Sequence, residues 1–265
     1  MMAELLGSYS PHQNVMKMAR KIVPAALAML GLFFAASTGA AQKRKPRATA
    51  KPLTRAELSS ARERLAEMGY GKGGNALITF QKYENRRVSG KLNREEFDAL
   101  MNASAPRPKD EGYKHVEVDL DRQILLLVGD DGSLQRILPV STGSNKHYRE
   151  KRMSGLAYTP RGRFRIYAKM NGWRKSPLGL LYYPNYFSDG LAIHGNPSVP
   201  HTPQSHGCIR IPMSSAVEMS RQLPVGTILL IYDSQSFVSA KDWAKAASLC
   251  QRSRRYESRK RRLRS

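Results

Sequence analysis

The sequence predicts an α+β multidomain chain: a small module of three short helices, then a β-rich domain with one short helix. Two observations carry this. Between residues 53 and 102 apolar side chains recur at helical spacing, and between 113 and 233 the period shortens to two, with turn residues between the runs. At 265 residues with 41% hydrophobic content, the chain has room for one ordinary domain plus a smaller one, and a disordered protein is excluded.

The N-terminal stretch is different in kind. Lys17, Arg20 and Lys21 precede the apolar run "IVPAALAMLGLFFAA", which ends in the small-residue stretch "STGAA". That order of basic flank, apolar core and small residues is the pattern of a secretory signal peptide, assigned here to residues 1–41. The apolar run of about 15 residues falls short of the roughly 20 that span a bilayer comfortably. An uncleaved anchor is the alternative, and no Cys at the end of the run suggests lipidation. The chain is therefore expected to be exported, to the periplasm or cell wall. Translation from Met16 or Met18 would give a shorter leader of the same type. Residues 42–52, "QKRKPRATAKP", form a basic tether without hydrophobic period.

The first helix is signalled by Thr54 and Glu57 as a capping box, with Leu58, Ala61, Leu65 and Met68 at helical spacing and Gly69 as a stop. "ALITFQKY" (76–83) predicts a second helix, and "NREEFDALM" (93–101) a third with Asn93 as its N-cap. Three such helices suggest a small bundle over 53–102. A Pro-containing linker over 103–112 follows. Val116, Val118 and Leu120 then alternate with polar residues, and "QILLLVG", "DDGS" and "LQRILPVS" read as strand, turn and strand. Further strands are expected in "TPRGRFRIYAKM", "LAIHG" and "GTILLIYD". A short helix is expected in "SSAVEMSRQL", with Ser215 and Glu218 as its capping box.

Charge narrows the partners. With 44 Lys and Arg against 21 Asp and Glu, the formal charge is +23, which implies attraction to a polyanion. The basic tail 234–265, ending "QRSRRYESRKRRLRS", is either a solvated tail or a contact for anionic envelope polymers or a membrane surface. No nucleic-acid partner is expected outside the cytoplasm.

The chemistry centres on "PQSHGCIRIP" (203–212). In an extended segment His206, Cys208 and Arg210 share one face while Ile209 and Ile211 enter the core. Gly207 permits a tight turn and leaves its N–H available to a substrate oxygen. A neighbouring Arg210 or a protonated His would favour the thiolate of Cys208, and His194, at the end of the apolar run "LAIHG", is the candidate base. These residues alone leave four readings open. Cys208 is an inert buried thiol, a disulfide partner of Cys250, a zinc ligand with His194, His201 and His206, or a nucleophile. The spacings match none of the usual short zinc-ligand pairs.

Two resemblances extend this reading. "RLAEMGY", "ALITFQ" and "VSGKLNREEFDAL" resemble the peptidoglycan-binding module, although that family carries a longer loop where this chain has "GKGGN"; the alternative is a spacer. "VEVDLDRQILLLV", "PVSTG", "TPRGRFRI", "LAIHG" and "SHGCIRIP" occur in the order and rough spacing of the L,D-transpeptidase catalytic domain, the YkuD family, across about residues 113–233. That resemblance implies a β-rich sandwich and an acyl transferase acting on peptidoglycan stem peptides without metal or organic cofactor. It implies Cys208 as nucleophile, His194 as base oriented by the carbonyl of Gly195, and backbone N–H groups of the His206, Gly207 and Cys208 segment around the oxyanion. It also places Arg210 on a substrate carboxylate, Ser205 as a loop-fixing hydroxyl and Tyr183 near the cleft. The stretch from His194 to Ser205 is shorter than in many members, and His201 is expected to face solvent. The rival readings are a wall-adhesive protein without catalysis and a carboxypeptidase that hydrolyses without transfer. No oligomeric state is indicated.

Overall fold

A computed structural model describes residues 51–150 and 153–236. The leader, residues 42–50 of the tether, Cys250 and the Arg-rich stretch lie outside the described residues. Among the described residues no helix is long and apolar enough to cross a membrane.

Three helices come first: α1 (Arg55–Glu67), α2 (Asn75–Tyr83) and α3 (Arg94–Asn102). The capping box forms as the sequence predicts, with the Glu57 amide donating to Thr54 Oγ1 at 3.2 Å and the Thr54 amide to the Glu57 carboxylate at 2.8 Å. Asn93 caps α3 by accepting the Glu96 amide at 2.8 Å. The strands follow as β1 (His115–Asp119), β2 (Ile124–Val128), β3 (Leu134–Pro139), β4 (His147–Glu150), β5 (Met153–Leu156), β6 (Gly162–Arg165), β7 (Ala168–Lys169), β8 (Trp173–Ser176), β9 (Gly179–Ser188), β10 (Leu191–Asn196) and β11 (Ile209–Pro212). Helix α4 (Met213–Gln222) and β12 (Ile228–Tyr232) complete the order.

One sheet runs β3-β2-β1-β12-β6 and a second runs β11-β10-β9-β7, with β8 joined to β9. They form a sandwich around a core of Val116, Val118, Leu125, Leu127, Ile193, Ile209, Ile211, Leu229 and Ile231, closed by Ala216 and Met219 of α4. A second core forms on the outer face of the first sheet. There Ile124, Leu126 and Ile137 pack with Ala61, Leu65, Phe80 and Leu100 of the helices. The helices therefore complete their core on the sheet, where a self-contained bundle was expected. The uninterrupted run Ile124–Val128 is apolar at every position because β2 is buried on both faces.

Strand β1 alternates as expected, but its polar residues His115, Glu117 and Asp119 are all buried. The expected linker explains this. The amides of Lys109 and Asp110 donate to the Glu117 carboxylate at 2.8 and 2.7 Å, so the chain at 103–112 lies across the strand. Tyr232 Oη adds a bond at 2.9 Å, and His115 sits between Glu117 at 3.2 Å and the Tyr113 carbonyl at 2.8 Å. A buried carboxylate satisfied this fully is stable only as a set, because removing one member leaves the others without partners.

Helix α4 also differs. It begins at Met213 with Pro212 as N-cap and no side-chain cap, so Ser215 and Glu218 lie inside the first turns and form no capping box. Pro212 presets the chain direction out of β11 and makes a side-chain cap dispensable for initiation. Glu218 instead pairs with Arg136 at 3.3 Å. The hairpins β4–β5 and β8–β9 have no counterpart in the sequence reading; their exposed residues, as in "HYRE" and "WRKS", lack the apolar alternation that reveals a strand.

Replacing the buried acceptor by Glu117→Leu is expected to lower unfolding free energy by about 3–5 kcal/mol in urea titrations, because the amide and phenol donors lose the carboxylate that accepts from them. A loss below about 1 kcal/mol contradicts the account of the β1 outer face.

Candidate active site

Strands β10 and β11 run parallel, with Ile193 opposite Ile209 and His194 opposite Arg210. Ile193, Ile209 and Ile211 enter the sandwich core, so His194, Cys208 and Arg210 lie on the opposite face of neighbouring strands. Cys208 immediately precedes β11 and is a free thiol on a partly exposed residue. The Ala192 amide on β10 donates to its sulfur.

His194 is buried, with Nδ1 2.9 Å from the Gly195 carbonyl oxygen. A carbonyl only accepts, so Nδ1 carries the hydrogen and Nε2 of the neutral ring keeps its lone pair. Burial drives the His194 pKa down to about 4, and the nearby Arg210 charge acts in the same direction. Cys208 moves the opposite way. Burial raises its pKa, outweighing the Ala192 amide and the Arg210 charge that favour the thiolate. Both groups are thus neutral at rest. Arg210 favours the thiolate, as the sequence suggests, but desolvation exceeds its attraction.

The loop before the thiol is fixed on every side. Ser205 donates its amide to the Thr142 carbonyl at 2.8 Å, and its hydroxyl donates to the Cys208 carbonyl at 2.5 Å. Gly207 has φ +136°, and a Cβ there would lie 2.7 Å from the Tyr158 carbonyl oxygen. Glycine is needed both for the backbone conformation and for the close approach. Its N–H donates to Ser205 Oγ at 3.0 Å, so it is occupied, contrary to the sequence expectation. Its carbonyl accepts Thr159 Oγ1 at 2.8 Å.

This turn also breaks the alternation expected from 206 to 210. His206 departs from the Cys208 face and meets β4, with Nε2 3.1 Å from a Glu150 carboxylate oxygen and its ring edge-on to Tyr148. Arg210 stays at the site, half-buried, and no carboxylate among the described residues pairs with it. Tyr183 lies away from the thiol, on the side of the β9 ribbon near Val217, Ser220 and Arg221 of α4. An aromatic ring on the cysteine side is Tyr186, opposite Ala192 in the sheet, with its phenol pKa raised chiefly by burial. The sequence offered no sign of this, because the choice between two tyrosines three residues apart depends on the register shifts in the β9–β10 pair. His201 is exposed on its loop. Among the described residues no three of His, Cys, Asp and Glu gather as a metal-ligand set.

Chemically, the arrangement places on one face of neighbouring strands a thiol, an unprotonated ring nitrogen, and a guanidinium that no carboxylate among the described residues pairs with. That combination suits acyl transfer from a substrate carrying a carboxylate.

Comparison with known proteins agrees. Residues 113–231 match the model of the L,D-transpeptidase catalytic domain, YkuD. The crystal structure of the L,D-transpeptidase from Xylanimonas cellulosilytica is similar at 33% identity and a TM-score of 0.62, covering 71% of this chain and 99% of that one. An L,D-transpeptidase (Yku) structure from Stackebrandtia nassauensis is 23% identical with a TM-score of 0.42, over 69% of this chain and 94% of that one. Among curated proteins no similar sequence was found. With its fold, its matched catalytic domain and a relative covered almost end to end, this chain belongs to the L,D-transpeptidase family.

Proposed function

We propose that the protein is an exported peptidoglycan L,D-transpeptidase in which Cys208 is the nucleophile and His194 the general base. The observation that supports this best is the fixed tautomer of His194, whose Nδ1–H is tied to the Gly195 carbonyl while Nε2 stays basic on the cysteine face. Cys208 attacks the carbonyl between the third, meso-diaminopimelic residue of a tetrapeptide stem and its terminal D-Ala. The thiol proton passes to His194 Nε2 as the C–S bond forms, which avoids ionising a buried sulfur beforehand. The oxyanion is met by the Cys208 N–H, since Gly207 is engaged with Ser205. As the C–N bond breaks, His194 returns the proton to the leaving D-Ala amine, and a thioester remains.

An acceptor amine from a second stem then attacks the thioester. His194 takes a proton from that amine and gives it to the departing sulfur, and a 3→3 cross-link results. Arg210 binds a stem carboxylate; its planar fork suits that task, and no carboxylate among the described residues pairs with it. Ser205 holds the loop geometry. No metal or organic cofactor takes part in these steps. The basic tail and the leader, whose sequences suggest contact with anionic envelope polymers and export, complete the reading of a cell-wall enzyme.

A defined tetrapeptide with and without an acceptor amine, analysed by mass spectrometry, tests the reaction. Cross-linked dimer is expected, with D-Ala released. Cys208→Ala abolishes it, with a loss on the order of 10⁴-fold or more. Shortened monomer alone would mean hydrolysis, and unchanged substrate would mean adhesion.

The pH dependence follows from His194. Its pKa in the folded protein is about 4, below the usual histidine value, so the base is lost only as pH falls toward 4. The single-turnover acylation rate at pH 5.5 should lie within about twofold of that at pH 7. An acid limb centred near the unperturbed value of about 6.5 contradicts the assignment.

Gly207→Ala is expected to cut turnover by about 10²-fold while leaving the far-ultraviolet circular dichroism unchanged, because the added Cβ displaces the loop and with it the sulfur. Full activity in this variant contradicts the proposed dependence on loop geometry.

A further inference from the structure

Lys82 belongs to helix α2, outside the matched catalytic domain, yet it is 4% exposed and its amine reaches the end of the β2–β3 pair. Nζ donates to the carbonyls of Gln123 and Val140, each at 3.1 Å. No carboxylate among the described residues pairs with it, and burial lowers its pKa to about 8. An unpaired buried amine is costly, and an apolar side chain of the same length would avoid that desolvation. Charged or neutral, the amine keeps at least two N–H groups for two carbonyls.

Those two carbonyls lie at the base of the segment that carries the cysteine loop. Gln123 has a left-handed backbone with φ 54°, uncommon for a residue with a side chain. The Val140 amide donates to the Gln123 carbonyl at 2.9 Å. The Gln123 side-chain amide then holds Thr142 from both sides: Nε2 donates to Thr142 Oγ1 at 2.7 Å, and Oε1 accepts the Thr142 amide at 2.9 Å. The Thr142 carbonyl accepts the amide of Ser205, and Ser205 Oγ holds the Cys208 carbonyl. Between them, Ser141 exchanges two backbone bonds with Arg210, at 3.1 and 3.0 Å.

We infer that Lys82 is a positioning residue for the transferase reaction, through which the helical layer fixes the Gln123–Thr142–Ser205 chain and hence the placement of Cys208. This rests on the reading of Cys208 as the nucleophile. The helices thereby have a part in catalysis that needs no ligand of their own. A displacement of the sulfur by about 1 Å is enough to cost on the order of 10²-fold in rate, so a remote anchor can control turnover without touching substrate.

The test uses the full chain and the tetrapeptide assay. Lys82→Met removes both hydrogen bonds and keeps the stem. Leu100→Ala is the control, since Leu100 is fully buried in the same helix–sheet core but bonds to nothing in the chain of contacts. The two are compared under conditions where both are folded, as judged by thermal melts. Lys82→Met is expected to lower kcat at least tenfold with KM within about twofold, whereas Leu100→Ala lowers the melting temperature and leaves kcat within about twofold. Thr142→Val removes the Gln123 Nε2 bond of the same chain with nearly the same volume while keeping both backbone bonds of residue 142, and a smaller but equally selective fall in kcat is expected. It decides the matter if Lys82→Met does not fold.

Equal kcat losses in Lys82→Met and Leu100→Ala, or an unchanged kcat in Thr142→Val, overturn the inference alone. Absence of any Cys208-dependent turnover in the unsubstituted protein overturns the reading beneath it, and the inference with it.

Discussion

The pairing of Ser141 with Arg210, bonded amide to carbonyl in both directions, is the junction on which the site depends. It ties the end of β3 in one sheet to β11 in the other, across the edge of the sandwich. From it the chain continues to Thr142, which holds Ser205, and to Gly143, whose amide reaches Thr159 and through it the Gly207 carbonyl. The side chain of Ser141 extends the same clamp to the short loop after β10, donating to the Thr202 carbonyl and accepting the Gln204 amide. A thiol preceding a strand by one residue would ordinarily share the mobility of its loop; here backbone groups of Gln204, Ser205, Gly207 and Cys208 are each held by a hydrogen bond, which is the rigidity that catalytic placement requires.

Electrostatics at this clamp follow from burial more than from charge. The sulfur and the imidazole are both neutral in the resting state, because the same crowding that fixes them withdraws water from them. A buried neutral pair has a functional consequence. In the proposed reaction the proton moves only when a carbonyl arrives to receive the sulfur, so the thiol is protected from indiscriminate ionisation and the basicity of His194 is used in the transition state. Arg210, placed opposite His194, disfavours the imidazolium.

Much of this was legible in the sequence, and the parts that were not share a cause. The capping box of α1, the Asn93 cap of α3, the strands around "ILLLV" and "ILLIY", and the grouping of His194, Cys208 and Arg210 are encoded by neighbours within a few residues. Such local patterns survive in one dimension. The occupied Gly207 amide, the displacement of His206 toward Glu150 and the choice of Tyr186 over Tyr183 depend on a left-handed turn, a separate hairpin and a register shift, which arise from pairings far apart in the chain. Glu117 and Lys82 were equally hidden. A charged residue in an alternating strand or on a helix reads as solvated until another layer is known to cover it. In this chain both are covered, and both hold layers together.

Peptide mapping by mass spectrometry of the intact protein, quenched during reaction with a tetrapeptide donor in the absence of acceptor amine, is the most direct test of the central claim. The account predicts a tripeptide acyl group on the fragment containing Cys208, labile to hydroxylamine as a thioester is. Turnover without such an adduct, or an adduct on any other residue, would contradict it.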